Sequence, residues 1–344
     1  MTSRVARAAA VVATLTAIVA CAGGSDTKAD SQTAAAPKAG GRFTIAMIAK
    51  SSTNPVFLAA RTGAEAAAKE QSAKTGLDVQ VVWLTPPQED AQVQAQRIQQ
   101  AVNDGANAIL ISCSDAGKVT GAINDAVARG VPVMTFDSDA PQSQRFAYYG
   151  VDDVKTGNLV MAELAKLMNG QGKIGIIAGN QNAPNLQNRV KGVKEEAAKT
   201  PGIQIVGTFN HVETPQDAAA EVVRVRNAYP EIQGFAMIGG WALFTPSLVN
   251  DLDPKRVKIA SVDALGSQLV YVDKGIAPVL LAQPVYQWGY IGVNTIIDKV
   301  HGKKDVPTII PMDLVRVTKE NLGEWARQLQ AWGFTDVPEA YLKL

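Results

Sequence analysis

The feature that most limits what this chain can fold into is an order of short apolar runs that occurs twice. Val- and Ile-rich runs at 43–49, 78–84, 107–112 and 131–136 are answered by runs at 173–178, 203–209, 234–238 and 257–262. Corresponding runs lie roughly 125–130 positions apart, a period that marks two copies of one βαβ unit. Ala-rich segments of helical period fill the gaps, at 54–75, 87–104 and 116–129 and again at 154–169, 188–199 and 215–228. Asn54-Pro55, the Pro86-Pro87 break and Ser114-Asp115 supply start signals for the first three. Strands alternating with helices of this length build a parallel sheet covered on both faces. The expected architecture is α/β, with two similar doubly wound parallel-sheet lobes.

The fourth runs of the two halves end alike, Val131-Pro-Val-Met-Thr-Phe-Asp137 against Val257-Lys-Ile-Ala-Ser-Val-Asp263. Open parallel sheets bind ligands beyond the C-terminal ends of their strands. One strand-end aspartate alone reads as a helix cap. Two at equivalent places of a repeat point into one cleft between facing lobes.

Arg4 and Arg7 precede an apolar run over 8–20 and then Ile18-Val19-Ala20-Cys21. A positive start, a short apolar stretch and small residues before a cut describe a signal peptide over 1–20, because the run is shorter than the about 20 apolar residues that span a bilayer. The cysteine after Ile-Val-Ala resembles a bacterial lipobox, so Cys21 is expected to carry lipid and to open a flexible tether over 21–41. The body is then expected to work in the periplasm or at the outer face of the cell membrane, touching the membrane through its lipid alone.

With 33 Lys and Arg against 32 Asp and Glu, the chain lacks the basic footprint of a nucleic-acid partner. Its histidines are His211 and His301, and Cys113 is the one cysteine besides Cys21, which leaves no metal cluster and no disulfide to expect. Gly170-Gln-Gly172-Lys-Ile-Gly175 spells the dinucleotide string G-x-G-x-x-G but follows a helix and opens a strand. A pyrophosphate needs the reverse order, so the string reads as a helix C-cap and turn. No nucleophile and base accompany it, and neither catalysis nor a cofactor is expected.

The loop Lys50-Ser-Ser-Thr-Asn54-Pro-Val-Phe57 gathers hydrogen-bonding groups ahead of a helix, with an aromatic ring one turn in. That mixture suits sugar hydroxyls and the apolar face of a sugar ring. Asn188 and Arg189 hold the equivalent place in the second half, and Trp241, after two glycines at a strand end, is placed to stack on a pyranose. Lys50 needs an anionic or polyhydroxyl partner, and Asp137 and Asp263 are its nearest candidates by topology. Trp83, Trp325 and Trp332 read as packing residues, Tyr286 and Trp288 as hinge packing, and Cys113 as a small buried residue.

As a set, the stretch from Thr44 to Phe57, Val131 to Asp137, Asn188-Arg189-Val-Lys-Gly192, Ser261-Val-Asp263 and Leu281-Ala-Gln283 resembles the ribose-binding-like, type I periplasmic binding proteins, over about 42–317. The resemblance implies two lobes joined by three crossovers, 42–150 with 284–312 and 151–283 with 313–344. It also implies a monomer that closes on a monosaccharide and delivers it to the membrane subunits of an ABC importer. The sugar contacts carried over are Asn54, Phe57, Asp137, Arg189, Asp263 and Gln283, beside Lys50 and Trp241 from the residues' own chemistry. Departures from the family pattern are Lys50 for a serine, Val56 for an aromatic, Ser138 for an arginine, and Gly239-Gly240-Trp241 for an Asn-Asp pair. Lys50 with Phe136-Asp137-Ser138-Asp139 is similar to binders of rhamnose or of a furanosyl signal, whereas Arg189, Asp263 and Gln283 are similar to pentose and hexose binders. A sensor for such a signal is therefore one alternative. A sugar-responsive transcription regulator is another, against which the export signal argues.

Overall fold

The computed structural model describes residues 40–344. The expected signal peptide, Cys21 and all but the end of the tether lie outside the described residues. Strand β1 (Arg42–Ile48) sends Ile45 and Met47 into one core and Ala46 and Ile48 into another, the period-two alternation of a strand buried on both faces. Beside it lie β2 (Asp78–Trp83), β3 (Ala108–Ile111), β4 (Val133–Phe136) and β5 (Ala147–Gly150), in spatial order 5-4-3-1-2 and parallel throughout. The second sheet repeats the plan with β6 (Gly172–Ala178), β7 (Ile203–Asn210), β8 (Ile232–Met237), β9 (Lys258–Val262) and β10 (Val279–Ala282), in order 10-9-8-6-7. At the edges, β11 (Ile309–Pro311) adds parallel to β5 and β12 (Val315–Val317) antiparallel to β10.

The helices α1 (Pro55–Thr75), α2 (Ala91–Asn103) and α3 (Ala116–Ala128) join the strands of the first sheet, capped by the side chains of Asn54, Asp90 and Asp115. From β5 the chain crosses through α4 (Asp153–Leu167) into the second sheet, whose strands are joined by α5 (Pro184–Ala197), α6 (Pro215–Ala228) and the short α7 (Leu269–Asp273). A second crossing runs from β10 into α8 (Val285–Val300) and a third from β11 to β12, before α9 (Leu322–Ala331) and α10 (Glu339–Leu342). This is the expected class, two α/β lobes with parallel-dominated sheets.

Three local differences have simple causes. Helix α2 starts at Ala91, not 87, because the Asp90 carboxylate takes the N–H groups of Gln92 and Val93. Helix α5 starts four residues before 188, with Pro184 in its first turn. Strands β5 and β10, four residues each, were not foreseen, because each is defined by the neighbours that hold it in the sheet. The glycine string ends α4 as a turn, with positive φ at Asn169, Gly170 and Gly172.

Helices α1 and α8 touch at glycines: a Cβ on Gly63 would stand 2.0 Å from the Tyr286 carbonyl oxygen, and one on Gly289 1.8 Å from that of Ala60. Helices α4 and α5 copy the arrangement, Gly157 2.0 Å from the Arg189 oxygen and Gly192 2.0 Å from that of Val154. Each lobe thus seats its first helix directly on a helix brought in by a crossing. Behind the crossings, Trp325 donates its indole N–H to the Ala264 carbonyl at 2.7 Å, while Trp332 stacks on Tyr286 of α8 with centroids 5.5 Å apart.

Candidate ligand-binding site

The C-terminal ends of the two sheets face one another across a small cavity, and all eight residues expected to bind ligand line it. Strand ends deliver Lys50 after β1, Asp137 after β4, Trp241 after β8, Asp263 after β9 and Gln283 after β10. Helix α1 delivers Asn54 as its cap and Phe57 in its first turn, while Arg189, expected at a helix start, comes from the second turn of α5. Asp137 and Asp263 both adopt left-handed backbone, φ 57° and 67°, uncommon outside glycine and least costly for Asp and Asn. Their own N–H groups bond the Tyr149 and Leu281 carbonyls at 3.1 and 2.9 Å. The same backbone bend therefore aims a carboxylate into the cleft from each lobe.

Two hydrogen-bonded chains line the cavity, the first running from one lobe to the other and back, the second within the wall of the second lobe. In the first, Lys50 Nζ donates to Asn185 Oδ1 at 3.1 Å, Asn185 Nδ2 donates to Asp137 Oδ1 at 3.1 Å, and Ser112 Oγ donates to Asp137 Oδ2 at 2.7 Å. In the second, Arg189 spends its guanidinium on Asp153 Oδ1 at 2.8 Å, the Ile238 carbonyl at 3.2 Å and Gln283 Oε1 at 2.9 Å. Gln283 Nε2 passes the chain to Asp263 Oδ1 at 2.9 Å, and Asp263 Oδ2 accepts from the Gly240 N–H at 3.1 Å. Asn54 caps α1 through its carbonyl oxygen, 3.2 Å from the Val56 nitrogen, which leaves its amide N–H groups for the cavity. About 20 Å³ of the cavity admits the centre of a water molecule, so its side chains fill it by pairing with one another.

Several residues differ from their sequence reading. The leading carboxylate opposite Lys50 is Glu213, with Asp137 and Glu89 behind it. Asp263 is turned away from Lys50 by its bonds to Gln283 and Gly240. Trp288 is a wall of the cavity, not hinge packing; it packs at a tilt on Phe57 and Phe136, centroids 6.1 and 6.0 Å apart, and its indole N–H has no protein partner among the described residues. Trp241 lies over Gly239, where a Cβ would fall 2.2 Å from the ring, and meets the edge of His211 at 5.3 Å. Trp83 is half-buried beneath Arg61, and Cys113 is fully buried, which pushes its thiol pKa up. Asn185, Glu213 and Asp153 were not foreseen. Starting α5 at Pro184 would have exposed Asn185, which is one turn before Arg189 and on the same face, and Glu213 follows β7 at the cleft-facing end.

Burial disfavours every charge here. It works against the Lys50 ammonium, yet the facing Glu213, Asp137 and Glu89 carboxylates outweigh it and raise that pKa. Burial also lifts Asp263, with Arg189 pulling the other way. It pushes Asp153 up to about 7 against Arg189, and Glu213 up to about 8 against Lys50. A carboxyl whose folded pKa lies above its unfolded value contributes stability that is complete below about pH 4 and is lost as pH rises through the folded pKa. The ligand-free protein is therefore expected to lose Tm between about pH 4.5 and 8, at up to about 1.4 kcal/mol per pH unit for each such group. Glu213→Gln should flatten the upper part of that fall, and parallel curves for the two proteins would contradict it. Among the described residues no cluster of His, Cys, Asp or Glu is arranged to hold a metal ion.

Two parallel-sheet lobes whose strand ends enclose one polar, aromatic-walled cavity define a two-lobed binding protein. Residues 45–304 match the periplasmic binding protein domain family, and the chain belongs to that family of extracytoplasmic binding proteins. It is 25% identical over 269 residues to the ribose import binding protein of Bacillus subtilis, covering 78% of this chain and 85% of that one. A solute-binding protein of an ABC transporter from Burkholderia graminis, solved with D-arabinose, is 26% identical with a TM-score of 0.74, covering 81% of this chain and 96% of that chain. A chain of the XylFII–LytSN complex is 27% identical with a TM-score of 0.73, over 81% and 98% of the two chains.

Proposed function

We propose that this protein is the lipid-anchored binding component of an ABC importer and captures a neutral monosaccharide between its lobes, 42–150 with 284–312 and 151–283 with 313–344. The observation that carries the reading is the hydrogen-bonded chain from Lys50 through Asn185 to Asp137, which joins the lobes, beside the chain from Arg189 through Gln283 to Asp263 in the wall of the second lobe, both built from groups that suit sugar hydroxyls. Those chains hold the places that ligand hydroxyls take over, with Phe57, Trp288 and Trp241 available to the apolar face of a sugar ring. A sugar enters by hinge motion of the lobes, and the closed form is what the importer reads. The ribose-binding relative and the arabinose-bound neighbour support a pentose or hexose as ligand.

Thermal unfolding against a panel of monosaccharides tests the reading. A ligand at 100 times its Kd stabilises by about 2.7 kcal/mol, a rise in Tm of about 5 °C or more. A flat response across pentoses, hexoses and 6-deoxyhexoses would remove sugars as the ligand class. Anchoring rests on Ile18-Val19-Ala20-Cys21 and is tested apart from it: Cys21→Ser should move the protein from the membrane to the soluble fraction with its sugar affinity unchanged. A native protein that is soluble with an unmodified N-terminus would end that part of the proposal.

The likeness to a chain of the XylFII–LytSN complex supports a second reading, in which the closed lobes report occupancy to a partner protein instead of an importer. Co-purification of the sugar-loaded protein from detergent-solubilised membranes separates the two, by recovering either transporter subunits or another membrane protein.

A further inference from the structure

Two titratable groups on opposite walls of the cavity are short of partners. Lys50, 2% exposed, gives one N–H to Asn185 and has no carboxylate oxygen within 4.0 Å among the described residues, although an ammonium carries three donors. Glu213 takes the Asn180 backbone N–H on Oε1 at 3.1 Å, and its Oε2 accepts from no described residue. Both line the cavity, one from the end of β1 and the other from the turn between β7 and α6. Among the charges around each of them, the other has the largest influence.

We propose that Lys50 and Glu213 together read one hydroxyl of the ligand, whose oxygen accepts from the ammonium while its O–H donates to the Glu213 carboxyl. The inference rests on the reading of this cavity as the sugar site. A hydroxyl is the small group that serves both sides at once. A sugar carboxylate at this place would face Glu213, with Glu89 near it through Asn180 Nδ2 at 3.0 Å. A sugar ammonium would face Lys50. A deoxy carbon leaves the buried Lys50 ammonium and the half-buried Glu213 carboxyl without the partner they lack, the situation in which binding sites discriminate most strongly. The site therefore selects a neutral sugar that is hydroxylated at this position and rejects its deoxy, acid and amino counterparts.

Calorimetric titration tests this with D-ribose, D-arabinose, D-xylose and D-allose, and then with every monodeoxy analogue of the tightest binder. The wild-type protein should bind one of those analogues about a hundredfold more weakly than the parent. In Lys50→Met and in Glu213→Leu that ratio should fall to within about threefold, through weaker binding of the parent. Glu213→Gln, which keeps the shape and one acceptor oxygen, should lose less, and the Tm of each ligand-free variant checks that it is folded. Wild-type ratios in both variants for every analogue, together with lost binding in Arg189→Ala, would overturn the shared hydroxyl and leave the site standing. Wild-type binding in Arg189→Ala as well, or no binding of any pentose, hexose or 6-deoxyhexose by the native protein, would overturn the sugar site and this inference with it.

Discussion

Arg189→Ala is expected to cost at least a hundredfold in sugar affinity and about 3–5 kcal/mol in stability of the ligand-free protein. The guanidinium is 3% exposed and spends its donors on Asp153, Gln283 and the Ile238 carbonyl, with Asp137 Oδ1 3.9 Å away. Removing it leaves three carboxylates, those of Asp137, Asp153 and Asp263, facing a buried space without the cation that offsets them. Truncating one partner of a buried charge network costs more than the network contributes, because the remaining charges stay desolvated. Gln283, released from Arg189, also loses the orientation in which its amide meets Asp263. Arg189→Lys keeps the charge but loses the fork of donors, and should recover part of the stability and little of the affinity. Urea denaturation and calorimetry read the two effects separately. A loss of less than about 1 kcal/mol with unchanged affinity would mean that the network is dispensable.

Gly289→Val should be among the most damaging single changes in the first lobe. A Cβ there would stand 1.8 Å from the Ala60 carbonyl oxygen and 2.6 Å from the Ala64 nitrogen, both of them backbone atoms of α1. Nothing flexible can give way, so α8 must move off α1 and forfeit the close packing between them. We expect a loss of about 3 kcal/mol or more by denaturant unfolding. Gly121→Ala, at an exposed position of helix α3 with nothing within 4 Å of the new Cβ, is the control and should gain up to about 1 kcal/mol. Equal midpoints for Gly289→Val and the native protein would refute the close approach of the two helices.

The repeat was the most legible part of the chain because it is written in apolar period and in capping residues, both local properties. The strands built from 43–49 and 173–178 and the helix caps at Asn54 and Asp115 belong to this kind. Strands β5 and β10 were missed since each is recognisable only by its neighbours in the sheet. The site divides in the same way. Asp137 and Asp263 could be found because they close equivalent strands. Asn185 and Glu213 offered only their positions, one turn before Arg189 and just after β7, and Trp288 not even that, because each takes its role from a residue in another part of the fold: Asn185 from Lys50 at 135 positions' separation, Glu213 from Lys50 across the cleft, and Trp288 from Phe57 and Phe136. Tertiary approach of this kind leaves no trace in spacing.

The stack of Trp332 on Tyr286 makes the protein its own optical gauge. Trp332 rides on the segment that Trp325 ties to the Ala264 carbonyl, whereas Tyr286 begins the helix that returns to the first lobe. The pair joins one lobe to the other, so a rotation of the lobes should disturb it, while Trp241 and Trp288 line the cavity. Indole emission therefore reports on both the seam between the lobes and the cavity in the unlabelled protein. Replacing Trp332 by Phe would leave the cavity pair with Trp83 and Trp325, so the difference between the two proteins' spectra separates lobe rotation from pocket occupancy.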